Sequence, residues 1–211
     1  MYQSPAPGAK RRTAAALVQA ARRLFAQHGF DGTSVRAITS AAGANLGAIT
    51  YHFGSKAALY ETVLRSVIGP SRERLAVAAD GPGTALQRVE AMVRALFDYL
   101  YENPDMPSLM MQLLVSVRPV PESALQAMQA NVGSLAGVIA EGQIDGSIRA
   151  GDPQLMALSI GAQPIWLSLA RRGLQAGIAV DQDRPETREQ LVESVVHFVR
   201  AGLAAYPETR E

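Results

Sequence analysis

The 211-residue chain has no cysteine. Disulfides, thiolate metal sites and cysteine redox sensing are therefore excluded, and a cytoplasmic setting is expected. Three histidines are too few to suggest a metal site, and no cofactor is expected. No apolar run approaches the roughly 20 residues of a membrane span, so a membrane is not an expected partner. The basic residues of the first dozen positions have no apolar stretch behind them, unlike a secretory signal. Signatures of catalysis are also lacking. There is no Ser/His/Asp context, no phosphate-cradling glycine loop ahead of a helix and no Glu-x-x-His pair, so the expectation is that the chain is not an enzyme.

Charge is scarce in sum but uneven in place. The net charge is +1, divided between +6 on residues 1–66 and −5 on residues 67–211. A basic head on an acidic body suits a polyanion touched by the head alone. Within the head, Ser34 to Leu59 reads SVRAITSAAGANLGAITYHFGSKAAL. Val35 and Ile38 give one turn of apolar helix, and Gly43 supplies a left-handed stop. Asn45 is placed to cap a second short helix, with Ile49 inward and Asn45, Leu46, Gly47, Ala48 and Thr50 outward. Ser55 caps a third, with Lys56 in its first turn. Two short helices joined by a tight glycine turn form a helix-turn-helix, whose second helix can enter the major groove of DNA. Thr33 or Ser34 caps the first of the pair, at a helix N-terminus where a phosphate could dock. Tyr51 and His52, at the exit of the reader helix, are either surface packing or phosphate contacts.

The segment FAQHGFDGTSVRAI followed by AAGANLGAITYHFGSKAALY resembles the DNA-binding domain of TetR/AcrR-family transcriptional regulators over about residues 13–65. The resemblance implies an all-helical homodimer whose C-terminal domain binds an effector and releases DNA. It implies phosphate contacts from Thr33, Tyr51, His52 and Lys56, with Leu46, Gly47 and Thr50 on the base-facing helix. Leu46 departs from the pattern, being apolar where polar residues are frequent, which suggests a methyl contact.

The expected fold is all-α. It comprises a flexible basic arm at 1–12, a three-helix helix-turn-helix domain at 13–68, and a helical ligand-binding and dimerisation bundle at 69–211. The cluster Asp80-Gly81-Pro82-Gly83 marks a break, and Gly69 and Pro70 are expected to interrupt the preceding helix. Helix is expected over Pro153 to about Gln175, kinked or broken at Pro164, and over Glu186 to about Tyr206. Met92, Phe97, Tyr101, Met110, Met111, Met128, Gln163 and Trp166, with Gln112 and Arg118 as further polar groups, mix adaptable, aromatic and polar side chains, as a small-molecule pocket does. Leu191, Val195, Val199 and Leu203 recur every four residues in a wide stripe, expected to cover a second copy of the chain. The expected function is a DNA-binding transcriptional regulator, a repressor released from a palindromic double-stranded operator by a small apolar effector. The rivals are a constitutive DNA-binding protein without effector and a helical enzyme carrying a nucleic-acid-binding head.

Overall fold

A computed structural model describes residues 7–205, with side chains from Lys10 onward. Ten α-helices account for the described fold, and its only β-type pairing is an isolated antiparallel bridge between Ile148 and Ala204. They are α1 (Pro7–His28), α2 (Val35–Ala41), α3 (Ala48–Phe53), α4 (Lys56–Ala79), α5 (Ala85–Glu102), α6 (Met106–Val115), α7 (Glu122–Ile144), α8 (Pro153–Leu169), α9 (Arg171–Ile178) and α10 (Pro185–Leu203). No described helix is long and apolar enough to cross a membrane.

Contacts divide the chain into two compact units, one of residues 1–68 with 108–125, the other of 69–107 with 126–211. The expected boundary assigned 108–125 to the second domain. These residues group with the first because Gln112, Leu113 and Arg118 line a common cleft with Phe30 and Tyr60. The expected flexible arm is also revised. Residues 1–6 lie outside the described residues, but Lys10, Arg11 and Arg12 are helical, since α1 already starts at Pro7. Proline is well suited to an early helical position, where no N–H partner is required.

Two prolines expected to break helices do not. Pro70 lies inside α4 and Pro164 inside α8. Each lacks an N–H and leaves one carbonyl a turn earlier without its helical partner, yet the ladder continues on both sides. The break after α8 comes instead at Ala170, and the last described helix ends at Leu203 rather than near Tyr206.

The second unit has one apolar core. α5 contributes Val89, Met92, Val93, Phe97 and Leu100, a stripe at helical spacing that is almost wholly buried. Its start is fixed by a capping box: Thr84 Oγ1 accepts from Gln87 N, and Gln87 Oε1 accepts from Thr84 N. α5 packs on α8 and α10, and Leu135, Ile139 and Ile148 join the same core. Gly142 makes the fit of α7 possible, since a Cβ there would come within 2.6 Å of the Ile148 side chain. Across the α5–α10 contact, Glu90 is buried and accepts two hydrogen bonds from Arg200, each 2.6 Å.

The apolar stripe of α10 points into this core. Val195, Val199 and Leu203 are buried within the chain and Leu191 is half-buried. The expectation that they cover a second copy is corrected, because one protomer already covers them. On α8 and α10 the exposed large apolar side chains are Leu155, Leu158 and Trp166, and Phe198. Phe97→Ala is expected to lower the unfolding free energy by about 3–5 kcal/mol, because it removes a fully buried ring from close packing. Thr84→Ala is expected to cost about 1 kcal/mol. Guanidinium denaturation of both variants reads the two values.

Candidate nucleic-acid interface

The first unit is built around three aromatic rings. Phe25 lies near the end of α1, Phe30 follows the turn, and Tyr60 is on α4. The Phe25 and Phe30 rings stack with centroids 5.9 Å apart, and Tyr60 meets them edge-on at 4.9 and 5.1 Å. The turn depends on Gly29, which adopts φ +68° while its N–H donates to the Phe25 carbonyl at 2.9 Å. A left-handed glycine lets the chain double back at once, which returns Phe30 onto Phe25.

Thr33 ends this turn. It is 1% exposed, and its hydroxyl donates to the carbonyls of Gly29 at 2.8 Å and Leu24 at 3.2 Å. The expectation that Thr33 presents its hydroxyl to a phosphate is thereby corrected: the group is enclosed and already committed. The capping role falls to Ser34, whose exposed Oγ accepts from Ala37 N at 3.0 Å.

Lys56 holds the same turn from the other side. Its ammonium donates to the Thr33 carbonyl at 2.6 Å and lies 4.1 Å from the centre of the Phe30 ring. Burial lowers its pKa below the usual lysine range; Asp31 opposes that shift and Arg118 adds to it. The Arg118 guanidinium also lies against Phe30, at 4.3 Å, and reaches Asp31 at 3.4 Å. Phe30 thus carries two cations, a cation–π arrangement that favours a fixed ring. Arg118 was expected from the sequence as a polar group of a small-molecule pocket, and Phe30 was not singled out. Their pairing spans a long chain separation and leaves no local signal.

α3 has six residues and starts later than expected. Asn45 does not cap it; Asn45, Leu46 and Gly47 form the turn before it, and Gly47 takes the N-cap position without a side-chain bond. Ala48 was expected to face outward but is buried beside Ile49, and the two anchor the inner face. Asn45, Leu46, Gly47, Thr50 and Tyr51 are exposed, and Leu46 is 62% exposed although apolar. His52 is half-buried and packs edge-on against the Tyr51 ring at 4.9 Å. The Lys10 ammonium lies 4.9 Å from that ring's centre, so α1 adds a cation beside the reader helix. Ser55 Oγ caps α4 by accepting from Ala58 N at 3.1 Å. The two helices, the glycine turn with Gly43 at φ +62° and the exposed row on α3 constitute a helix-turn-helix with its second helix presented outward.

The family profile described as "Bacterial regulatory proteins, tetR family" matches residues 17–63, the same α1 to α4 segment. Residues 17–63 are thus similar to the DNA-binding segment of tetR-family regulators. The chain is 43% identical over 49 residues to the HTH-type transcriptional repressor AcnR of Corynebacterium efficiens. That match spans 23% of this chain and 26% of AcnR, so the curated repressor is matched over only about a quarter of its length. A longer match, 25% identical and covering 92% of this chain and 84% of the other, is to the HTH-type transcriptional activator FasR of Mycolicibacterium smegmatis. Among solved structures, AibR in complex with isovaleryl coenzyme A and operator DNA shares the fold with a TM-score of 0.70, at 18% identity, over 88% of this chain and 97% of that one.

The eight side chains expected to form a pocket fall in different settings. Met92 and Phe97 are in the solid core of the second unit, Met111 and Trp166 are exposed, and Met110 belongs to the first unit. Gln163 donates to the Ser159 carbonyl of its own helix at 3.4 Å, and Met128 is half-buried on α7. Tyr101 differs from the others. Its hydroxyl is buried without a hydrogen-bond partner, as are Ser168 Oγ, Gln182 Oε1 and Arg188 Nε, all in the second unit. The Arg188 guanidinium covers the Tyr101 ring at 4.3 Å, while Gln182 Nε2 donates to the Leu167 carbonyl at 3.0 Å. Burial raises the Tyr101 pKa, so the hydroxyl keeps its proton as a donor.

Thr33→Val tests the structural reading of Thr33. It deletes a buried hydroxyl with little change of shape, and is expected to cost about 1 kcal/mol of stability. Thermal unfolding of the variant reads the loss. A variant as stable as the parent would return the Thr33 hydroxyl to the exposed candidates.

Proposed function

We propose that the chain is a dimeric, DNA-binding transcriptional repressor that reads an inverted-repeat operator with α3 and answers to a small molecule. The carrying observation is the exposed run Asn45, Leu46 and Gly47 just ahead of α3 with Thr50 and Tyr51 on it, anchored by Ile49, and with Ser34 and Lys10 on the same head. Leu46 and Thr50 face base edges, Leu46 through a thymine methyl. Ser34, Tyr51, His52 and Lys56 position the head through phosphates, as does Lys10. The AcnR similarity within the head favours repression. The longer FasR similarity favours the second reading, an activator, and transcription from the selected operator in vitro separates the two.

The experiment that tests the reading is selection of binding sites from a random DNA pool by the purified chain. Enrichment of an inverted repeat with half-sites about one helical turn apart, roughly 34–36 Å, is expected. Failure to enrich any sequence overturns it. Thr50→Ala should alter the enriched sequence, with about 1–3 kcal/mol lost at one base pair. Lys56→Ala should weaken all sequences alike and lower the salt slope by about one. A weakened variant with an unchanged slope would assign Lys56 to holding the Thr33 carbonyl alone.

Dimerisation is assigned to the outer faces of α8 and α10. Leu155, Leu158 and Trp166 recur at helical spacing on α8, and Trp166 is 58% exposed; Phe198, 67% exposed, extends apolar surface on α10. A contiguous exposed apolar face of this kind marks an interface, and a two-fold axis buries it against itself. Leu158→Glu with Trp166→Glu should give a folded monomer by sedimentation with little operator affinity. Val195→Glu, by contrast, places a charge in the core and should unfold the second unit.

Effector response is supported by the unpartnered atoms of Tyr101, Ser168, Gln182 and Arg188. Buried polar groups are nearly always hydrogen-bonded; Arg188 lies on the Tyr101 ring and donates to the Gln182 carbonyl at 3.4 Å, so the orphaned atoms of these three suit a ligand that supplies their partners. That ligand would carry an acceptor for Tyr101 and Arg188 and a donor for Gln182. The solved AibR complex holds an acyl coenzyme A; for this chain, the effector is proposed only by the polarity of its partners.

A further inference from the structure

The first unit contains a cleft that the helix-turn-helix does not use. It has a volume of about 300 Å3, at the small end of ligand sites. One wall comes from α4 with Ala57, Tyr60 and Glu61, together with Phe30. The other comes from Gln112, Leu113 and Ser116 and from the Arg118-Pro119-Val120-Pro121 segment that follows α6. All of these residues belong to one compact unit.

The chemistry of the wall is mixed in a usable way. Leu113, Pro119, Val120, Pro121 and the ring of Tyr60 give an apolar body. Arg118 gives one cation, and it is held in place: its ring neighbour is Phe30 at 4.3 Å, and its backbone N–H donates to Ser116 Oγ at 3.2 Å. Among the described residues its only ion pair is with Asp31, at 3.4 Å between exposed side chains. Such a pair contributes little, and the fork of five N–H donors is mostly uncommitted. A guanidinium stacked on a ring, beside an apolar wall, matches a planar carboxylate attached to a short hydrocarbon. Glu61 lines the same cleft and repels a second negative charge. The site thus selects against dianions, including phosphate esters.

We infer that this cleft is a binding site for a compact amphipathic monocarboxylate, its carboxylate on Arg118 and its apolar part between Tyr60, Leu113 and the two prolines. It is separate from the polar cluster around Tyr101 and does not depend on it. An occupant would compete with Asp31 for Arg118, and Arg118 shares the Phe30 ring with Lys56. Occupancy therefore bears on the Thr33 turn that Lys56 holds, which places a ligand beside the DNA-reading head itself.

The test uses the full chain without DNA, so that failure of operator selection and failure of this site are separate results. Phenylacetate, phenylacetamide, phenethylamine and phenylmalonate are titrated while backbone amide resonances are followed. Phenylacetate should saturate at or below about 10 mM, a modest affinity in keeping with a ligand of so few atoms. The shifts should concentrate on residues 57–61 and 112–121. The neutral amide, the amine and the dianion should each bind at least tenfold more weakly. Arg118→Gln should abolish the preference for the acid over the amide. Glu61→Gln should leave phenylacetate binding in place and improve phenylmalonate severalfold. Arg118→Lys serves as a folded control that keeps the charge and weakens binding only in part. Equal binding of acid and amide, tighter binding of the amine, shifts confined elsewhere, or no saturation would each overturn the assignment.

Discussion

A single hydrogen bond, from the Lys56 ammonium to the Thr33 carbonyl, ties the start of α4 to the start of α2. The carbonyl accepts at 2.6 Å in a half-buried place, where a cation without an acceptor would be costly. Around that bond the head closes in order. Gly29 turns the chain, Phe30 folds onto Phe25, and the Thr33 hydroxyl seals the turn against the last carbonyls of α1. α2 then leaves in a fixed direction from its Ser34 cap, and α3 is carried outward on α2. The exposed row on α3 is therefore placed by buried contacts a turn or more away.

The readable part of the chain was the local part. Ser34, Ser55 and Thr84 cap helices as their sequence context suggests, because a cap is decided within four residues. Asn45 was misjudged for a similar reason. It is a good capping residue, but Gly47 sits two places later, and the buried Ala48–Ile49 pair fixes where α3 begins. Pro70 and Pro164 misled because a local penalty was set against packing along entire helices.

Long-range pairing left the faintest trace. The Leu191, Val195, Val199 and Leu203 stripe was correctly seen as apolar, but periodicity shows that a face is covered without showing by what. Here α5 and α8 of the same chain cover it. The face left bare, Leu155, Leu158 and Trp166, was hidden in a helix apolar on nearly every side, where no stripe stands out. Arg118 was expected only as a polar group of a pocket, and its place on Phe30 emerges only in the fold. The Met- and aromatic-rich set fell in different settings because core and pocket draw on the same residues; orphaned polar atoms, visible only in three dimensions, distinguish them.

α3 has only six residues, and its N-cap glycine offers no side-chain oxygen. A helix that short cannot sustain itself in water, because its few internal bonds do not offset the cost of nucleation. Ile49 fastens it, and the amides nearest Gly47 lie at the edge of that hold. Local opening is consequently cheap in α3, and its amides should exchange with solvent earlier than those of α1 or α4. With only Ala48 and Ile49 holding it, contact with a groove would complete its order as well as its proposed recognition.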